Sequence, residues 1–116
     1  MGESRGSSVS ELMDKCNRLE REQEEYEARV RKAISREEDH ENEIIKRTKQ
    51  LEHIEMEVGN DKEVIRILNE EREALNRIKK KSESLQGLLR REFRKMQDDH
   101  HSNISKLRMQ MKELEN

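Results

Sequence analysis

Apolar residues recur every three or four positions along most of this chain. From Val9 to Val58 a 3-4 spacing runs through fifteen positions, of which eleven are apolar, and the residues between these positions are mostly charged. A 3-4 spacing held over so long a stretch predicts a helix with one apolar row that packs against another helix. We call such a row, on either helix, the seam.

The pattern is interrupted once, at Gly59, Asn60 and Asp61. Glycine adopts the left-handed conformation that ends a helix, and Asn60 with Glu63 has the spacing of a capping box that begins the next helix. Ser8 has the same spacing to Glu11. The sequence therefore predicts a flexible leader over 1–7, a helix over 8–58, a turn at 59–61 and a helix over 61–115.

Beyond the turn the apolar spacing restarts one residue out of step. Continuing the first frame would place Arg72, Lys79 and Gln86 in the seam, so one uninterrupted coiled coil is the poorer fit. Folding back at Gly59 pairs residues whose numbers sum to about 119. The prediction is an all-α, two-helix antiparallel coiled-coil hairpin. Its predicted seam is formed by Leu12, Leu19, Tyr26, Val30, Ile44, Leu51, Ile54, Val64, Leu68, Leu75, Ile78, Leu85, Leu89, Phe93, Met96 and Leu107.

Composition favours a protein that works with a partner. Charged residues make up 45% and aromatic residues 2% of the chain, which leaves too little apolar surface for an ordinary globular core. The net charge of −2 gives no electrostatic case for nucleic acid, and no apolar run is long enough to span a membrane. Because the single Cys16 excludes an internal disulfide, we expect a reducing, cytoplasmic location.

Nothing in the sequence has the spacing of a catalytic or metal-binding motif. His100 and His101 are adjacent, so their side chains diverge on a helix and cannot chelate one ion together. Cys16 is at a seam position, where a small buried apolar residue is expected. We therefore expect a non-enzyme with no cofactor, metal or small-molecule substrate. The basic residues between Arg77 and Lys95 are expected to be compensated by the acidic residues of 24–42.

A second set of apolar residues lies off the predicted seam. Two interpretations remain open: a broadened seam, or a docking face for another hairpin that gives a four-helix assembly. The predicted partner-binding residues are Ile34, Ile45, Ile67, Ala74 and Leu88.

The stretch from Leu51 to Glu63, with a glycine at the turn between two helices, resembles WXG-type hairpins of Gram-positive type VII secretion. More narrowly, the chain resembles the small helical partner proteins encoded beside LXG toxins. At the turn, Glu57-Val58-Gly59 keeps only the glycine of the Trp-x-Gly motif. The resemblance implies a targeting or chaperone protein that binds the helical domain of a toxin and assists its export.

Two functional hypotheses follow. In the first, a cytoplasmic adaptor or chaperone hairpin binds the helical domain of a partner. The resemblance implies that this partner is a type VII effector with which the hairpin can be co-secreted. In the second, the chain is a structural coiled-coil subunit or fragment, in a homodimer or a heteromeric scaffold. Both make the partner a helical protein, in a hetero-oligomer or a homodimer.

Overall fold

The chain is a two-helix, all-α hairpin, as predicted. In the computed structural model, the backbone is described for residues 2–115 and the side chains for 8–115. Helix α1 comprises Gly2–Val58 and helix α2 comprises Lys62–Glu115. The absence of proline and the abundance of Glu, Lys, Arg and Leu favour helices of this length. Helix α1 begins at Gly2, six residues before the start predicted at Ser8.

The turn consists of the three predicted residues. Gly59 has a φ of 69°, the left-handed conformation that closes α1. The prediction that Asn60 caps α2 is wrong, because Asp61 does so. Asp61 Oδ1 accepts hydrogen bonds from the backbone N–H groups of Glu63 at 3.1 Å and Val64 at 3.4 Å. Its backbone oxygen accepts the first helical bond, from Ile65 N–H at 3.0 Å.

The hairpin comprises two compact units. The terminal unit is Met1–Arg31 with Arg91–Asn116, and the tip unit is Lys32–Arg90. Each unit contains a segment of α1 packed against a segment of α2.

The terminal unit has an apolar core. Cys16, Ile104 and Leu107 are buried together, and Leu12 is among the residues packed against them. Leu12 and Leu107 are one of the pairs predicted to face each other across the hairpin, because their residue numbers sum to about 119. At the edge of the unit, the Arg31 guanidinium lies 5.5 Å from the centroid of the Phe93 ring, within the range of a cation–π contact.

Ion pairs and polar contacts flank this core. Arg108 Nη2 lies 3.6 Å from Glu20 Oε1, and Gln97 Nε2 donates a hydrogen bond to Glu27 Oε1 at 3.3 Å. Both contacts join α1 to α2 on the exposed side of the seam. Exposed pairs of this kind contribute little stability each, so the buried apolar residues hold this unit together.

In the tip unit, the two helices meet along a seam with fewer apolar residues. Ile44, Leu68 and Leu75 are its buried apolar side chains. Ile44 and Leu75 also satisfy the sum of about 119, and they line one groove together. Thr48 Oγ1 donates to the Ile44 carbonyl oxygen at 2.9 Å, so this hydroxyl is satisfied within its own helix.

Three residues of the predicted seam are exposed, which corrects the predicted frame. These are Ile54, Ile78 and Leu85. Ile78 and Leu85 belong to α2, and the residues that follow them, Lys79 and Gln86, occupy the seam instead. The α2 seam therefore continues the 3-4 spacing that runs from Val9 to Val58. Its side chains at 65–100 are Ile65, Leu68, Arg72, Leu75, Lys79, Ser82, Gln86, Leu89, Phe93, Met96 and His100, all of them buried or half-buried.

On the α1 segment of the tip unit, the observed seam also lies one residue after the predicted seam at three positions. His40, Arg47 and Ile54 are exposed, and the residues that follow them, Glu41, Thr48 and Glu55, are half-buried instead. The remaining predicted seam residues are buried or half-buried: Leu12, Leu19, Tyr26, Val30, Ile44, Leu51, Val64, Leu68, Leu75, Leu89, Phe93, Met96 and Leu107.

Candidate docking surface

Polar side chains occupy the seam of the tip unit and bond across it. Ser82 is 4% exposed, and its Oγ donates to Glu37 Oε2 at 2.9 Å. Gln86 is 7% exposed, and its Nε2 donates to Glu41 Oε2 at 2.8 Å. Because a buried amide or hydroxyl costs free energy unless it is bonded, these contacts make the polar seam tolerable rather than strongly stabilising.

An ion pair extends the polar seam toward the turn. The Arg72 guanidinium donates to a Glu55 carboxylate oxygen, and both side chains are roughly one-third exposed. Arg72 Nε is buried and has no hydrogen-bond partner among the described residues. A half-exposed ion pair with an unsatisfied nitrogen contributes at most about 1 kcal/mol.

Next to this polar seam, α2 carries a second row with the same 3-4 spacing. We call it the α2 stripe. Each member precedes a seam residue by one position, so the row is rotated about 100° from the seam on the helix. Its members are Val64, Ile67, Glu71, Ala74, Ile78, Lys81, Leu85 and Leu88.

Four large apolar side chains of the α2 stripe are substantially exposed. Ile67 is 47%, Ile78 42%, Leu85 41% and Leu88 50% exposed. Single exposed apolar residues are normal, but a regular row of them on one helix face is a candidate interaction surface. The tip unit therefore places polar groups in its seam while apolar groups line its surface.

The predicted partner-binding residues are divided between different environments. Ile67 and Leu88 are exposed on the α2 stripe, where Ala74 is half-buried between them. Ile34 and Ile45 are half-buried on α1. The sequence reasoning missed Ile78 and Leu85, which it assigned to the seam. The signal that could have identified them is the 3-4 spacing that they share with Ile67 and Leu88.

A groove borders the stripe where α1 and α2 meet. Ile78 lines a cavity of about 200 Å³ together with His40, Ile44, Arg47 and Leu75. A neighbouring cavity of about 160 Å³ is also lined by Ile78 and His40. An apolar side chain entering from a bound helix would contact both helices of the tip unit here.

The two charged members of the stripe, Glu71 and Lys81, are both exposed. Among the described residues, neither Glu71 nor Lys81 forms an ion pair. By contrast, Arg66 on another face of α2 pairs with Glu63 at 2.7 Å and Glu70 at 2.8 Å. The hydrogen bond that Arg66 donates to Glu63, with the negative charge of Glu70, raises the pKa of the Arg66 guanidinium above its ordinary value.

The basic residues between Arg77 and Lys95 are only partly compensated by α1. Arg90 Nη2 pairs with Glu38 Oε1 at 2.7 Å, as the expected compensation requires. Lys79 instead approaches Glu83 of its own helix at 3.9 Å. Arg77 and Lys80, which flank the α2 stripe, form no ion pair within the part of the chain that the structure describes.

The terminal unit contains a groove of about 560 Å³. Tyr26, Met96 and His100 are among its lining residues. No group of three or more His, Cys, Asp or Glu side chains in the described residues is arranged to hold a metal ion. His40 lies 3.9 Å from Glu37 on the same helix and is exposed.

No helix within the described residues is both long and apolar enough to cross a membrane. Comparison of the chain with protein-family models, with curated proteins and with solved structures found no match.

Proposed function

We propose that this chain is a non-enzymatic adaptor or chaperone hairpin that binds the helical domain of a partner protein. The observation that supports this is the exposed α2 stripe beside a polar seam. Recognition of an amphipathic helix uses apolar anchors at positions i, i+3 or i+4, and i+7, which is the spacing of this row.

The arrangement of the tip unit favours binding on energetic grounds. Removing apolar surface from water contributes about 25 cal/mol per Å², so covering the side chains from Ile67 to Leu88 favours association. The groove beside Ile78 offers an anchor site for a side chain of the bound helix. A partner helix would thus complete an apolar layer that the hairpin alone leaves open.

The resemblance to helical partners of LXG toxins extends this proposal to a particular partner class. In that case the bound domain belongs to an effector of type VII secretion. The hairpin would hold this domain in the cytoplasm before export, and it could leave the cell with it. The resemblance alone supports an effector of type VII secretion as the partner, whereas the exposed α2 stripe supports binding to a helix.

The proposal is tested by purifying the complex from the native source with a tagged chain and identifying the bound protein. Ile67→Glu with Leu88→Glu should reduce recovery of that protein at least tenfold, because two charges would be buried against the incoming helix. Met56→Glu is the matched control, since Met56 is 83% exposed in the same unit and off the stripe.

Circular dichroism of each purified variant separates loss of binding from loss of structure. We expect the helicity of the double variant to equal that of the control. Equal losses of partner in the double variant and in Met56→Glu would contradict the proposal. So would a recovered partner whose binding segment is not helical.

A further inference from the structure

The α2 stripe is complementary to itself when a second α2 is laid antiparallel against it. In an antiparallel coiled coil, alternate core positions of one helix face those of the other. One register pairs stripe residues whose numbers sum to 152. Its pairs are Val64 with Leu88, Ile67 with Leu85, Glu71 with Lys81, and Ala74 with Ile78.

We propose that the α2 stripe is an interface between two copies of this chain, which pair through it as an antiparallel dimer. The interface is isologous, so each of these pairs occurs twice about a two-fold axis level with residue 76. The inference deepens the proposed function, because a partner helix would have to displace the second copy from the same stripe.

The charged members of the stripe select this register. Glu71 and Lys81 have no ion-pair partner within the described part of their own chain, and here each faces the other across the interface. Shifting by one heptad so that the numbers sum to 159 places Leu88 against Glu71 and Ile78 against Lys81. The opposite shift, to 145, places Val64 against Lys81 and Ala74 against Glu71. Both alternatives bury a charge against an apolar side chain.

The sizes of the apolar pairs also fit. Ala74, the smallest member, faces Ile78, which provides a large side chain for a small one near the axis. Ile67 faces Leu85, and both are more than two-fifths exposed in the single chain. The paired segment of 64–88 would be about 37 Å long.

One flanking contact opposes the dimer. In this register the positions beside the stripe bring Arg77 of one copy close to Arg77 of the other. These arginines have no ion pair within the described residues. Arg77→Gln should therefore strengthen the dimer about twofold to threefold, because it removes a like-charge contact at the axis.

Sedimentation equilibrium of the purified chain, over a concentration range from about 1 to 500 µM, tests the dimer. We expect a monomer–dimer equilibrium within this range. Glu71→Lys alone and Lys81→Glu alone should each weaken the dimer at least tenfold, because each places two like-charge pairs in the interface. Met56→Glu should leave the dissociation constant unchanged.

The charge swap gives the sharpest result. Carrying both substitutions in one chain exchanges the charges and should restore the dimer to within about threefold of the original. An equimolar mixture of the two single variants should form a heterodimer more readily than either variant forms a homodimer. Failure of the double variant to recover, with its helicity intact, would overturn the proposed register.

Spin labels test the antiparallel orientation. In a Cys16→Ser background, a label at Arg77→Cys should report a short distance between copies, within about 20 Å. A label at Glu63→Cys should report about 40 Å, from 1.5 Å of rise per residue. Short distances at both positions would indicate a parallel dimer and overturn the proposal.

The two proposals can fail separately. A chain that stays monomeric at 500 µM, about the upper limit of the titration, overturns the dimer. If that monomer still loses its partner through Ile67→Glu with Leu88→Glu, the proposed function stands. If the dimer forms as described and the stripe substitutions spare partner binding, the proposed use of the stripe by a partner is wrong.

Discussion

The terminal unit and the tip unit use the same 3-4 spacing for different purposes. In the terminal unit, the seam buries Cys16, Ile104 and Leu107, and the exposed large apolar residues among its described side chains are two methionines, Met13 and Met109. The tip unit buries Ser82 and Gln86 while branched apolar residues remain on its surface. The difference teaches that a hairpin can place its apolar residues either in its own seam or on an exposed face beside it.

The polar seam also has a structural role. Apolar side chains pack in several registers with similar energies, whereas a buried amide or hydroxyl must meet its bonding partner. The bonds from Ser82 to Glu37 and from Gln86 to Glu41 therefore specify the alignment of the helices in the tip unit. Stability and alignment are supplied by different residues.

The largest expected effect is in the terminal unit. Ile104→Ala removes most of a side chain that is 5% exposed, and it should lower the free energy of unfolding by about 2–4 kcal/mol. Urea unfolding followed by circular dichroism measures this loss. Hydrogen exchange should accelerate more in residues 8–31 and 91–115 than in 32–90. Equal acceleration throughout would contradict the distinction between the two units.

In the tip unit we expect a smaller change in the free energy of unfolding, and this change is an increase. Glu41→Leu with Gln86→Leu replaces a bonded polar pair by apolar side chains, which should raise the free energy of unfolding by about 1 kcal/mol. Gln86→Leu alone is the control and should be nearly neutral, since Glu41 stays half-exposed to water. A loss of more than about 2 kcal/mol in the double variant would mean that the polar seam stabilises the unit.

The smallest effect concerns the cap of α2. Asp61→Ala removes the acceptor for the Glu63 and Val64 N–H groups and should cost about 1 kcal/mol. Asn60→Ala is the matched control and should cost less, because Asp61 is the residue that caps the helix. Amide exchange at 62–66 measures the change. Greater exchange for Asn60→Ala than for Asp61→Ala would reverse this assignment.

The sequence predicts the hairpin well because local signals agree with the long-range pattern. Gly59 marks the turn by its conformational freedom, and the sum of about 119 identifies pairs such as Leu12 with Leu107 and Ile44 with Leu75. These inferences need only the positions of apolar residues and one break in their spacing. The bounds of α2 differ from the prediction by one residue at its start.

The frame of the α2 seam is not predictable by the same rule. A rule that assigns apolar residues to the seam selects Ile78 and Leu85, although Lys79 and Gln86 lie there in the structure. Gln86 is acceptable there because Glu41 of α1 accepts its hydrogen bond, and that acceptor is recognisable only when both helices are aligned. A row of apolar residues predicts that they are buried somewhere, not that they are buried within one chain.

The short connection between the helices limits how the hairpin can move. Sliding α2 past α1 by one heptad would displace it by about 10.5 Å. The connection of Gly59, Asn60 and Asp61 is too short to span this extra distance unless about seven helical residues unwind. The bonds formed by the Asp61 carboxylate would be broken first. Under a pulling force on the tip unit, α2 therefore cannot slide along α1. We expect the two helices of this unit to separate sideways instead.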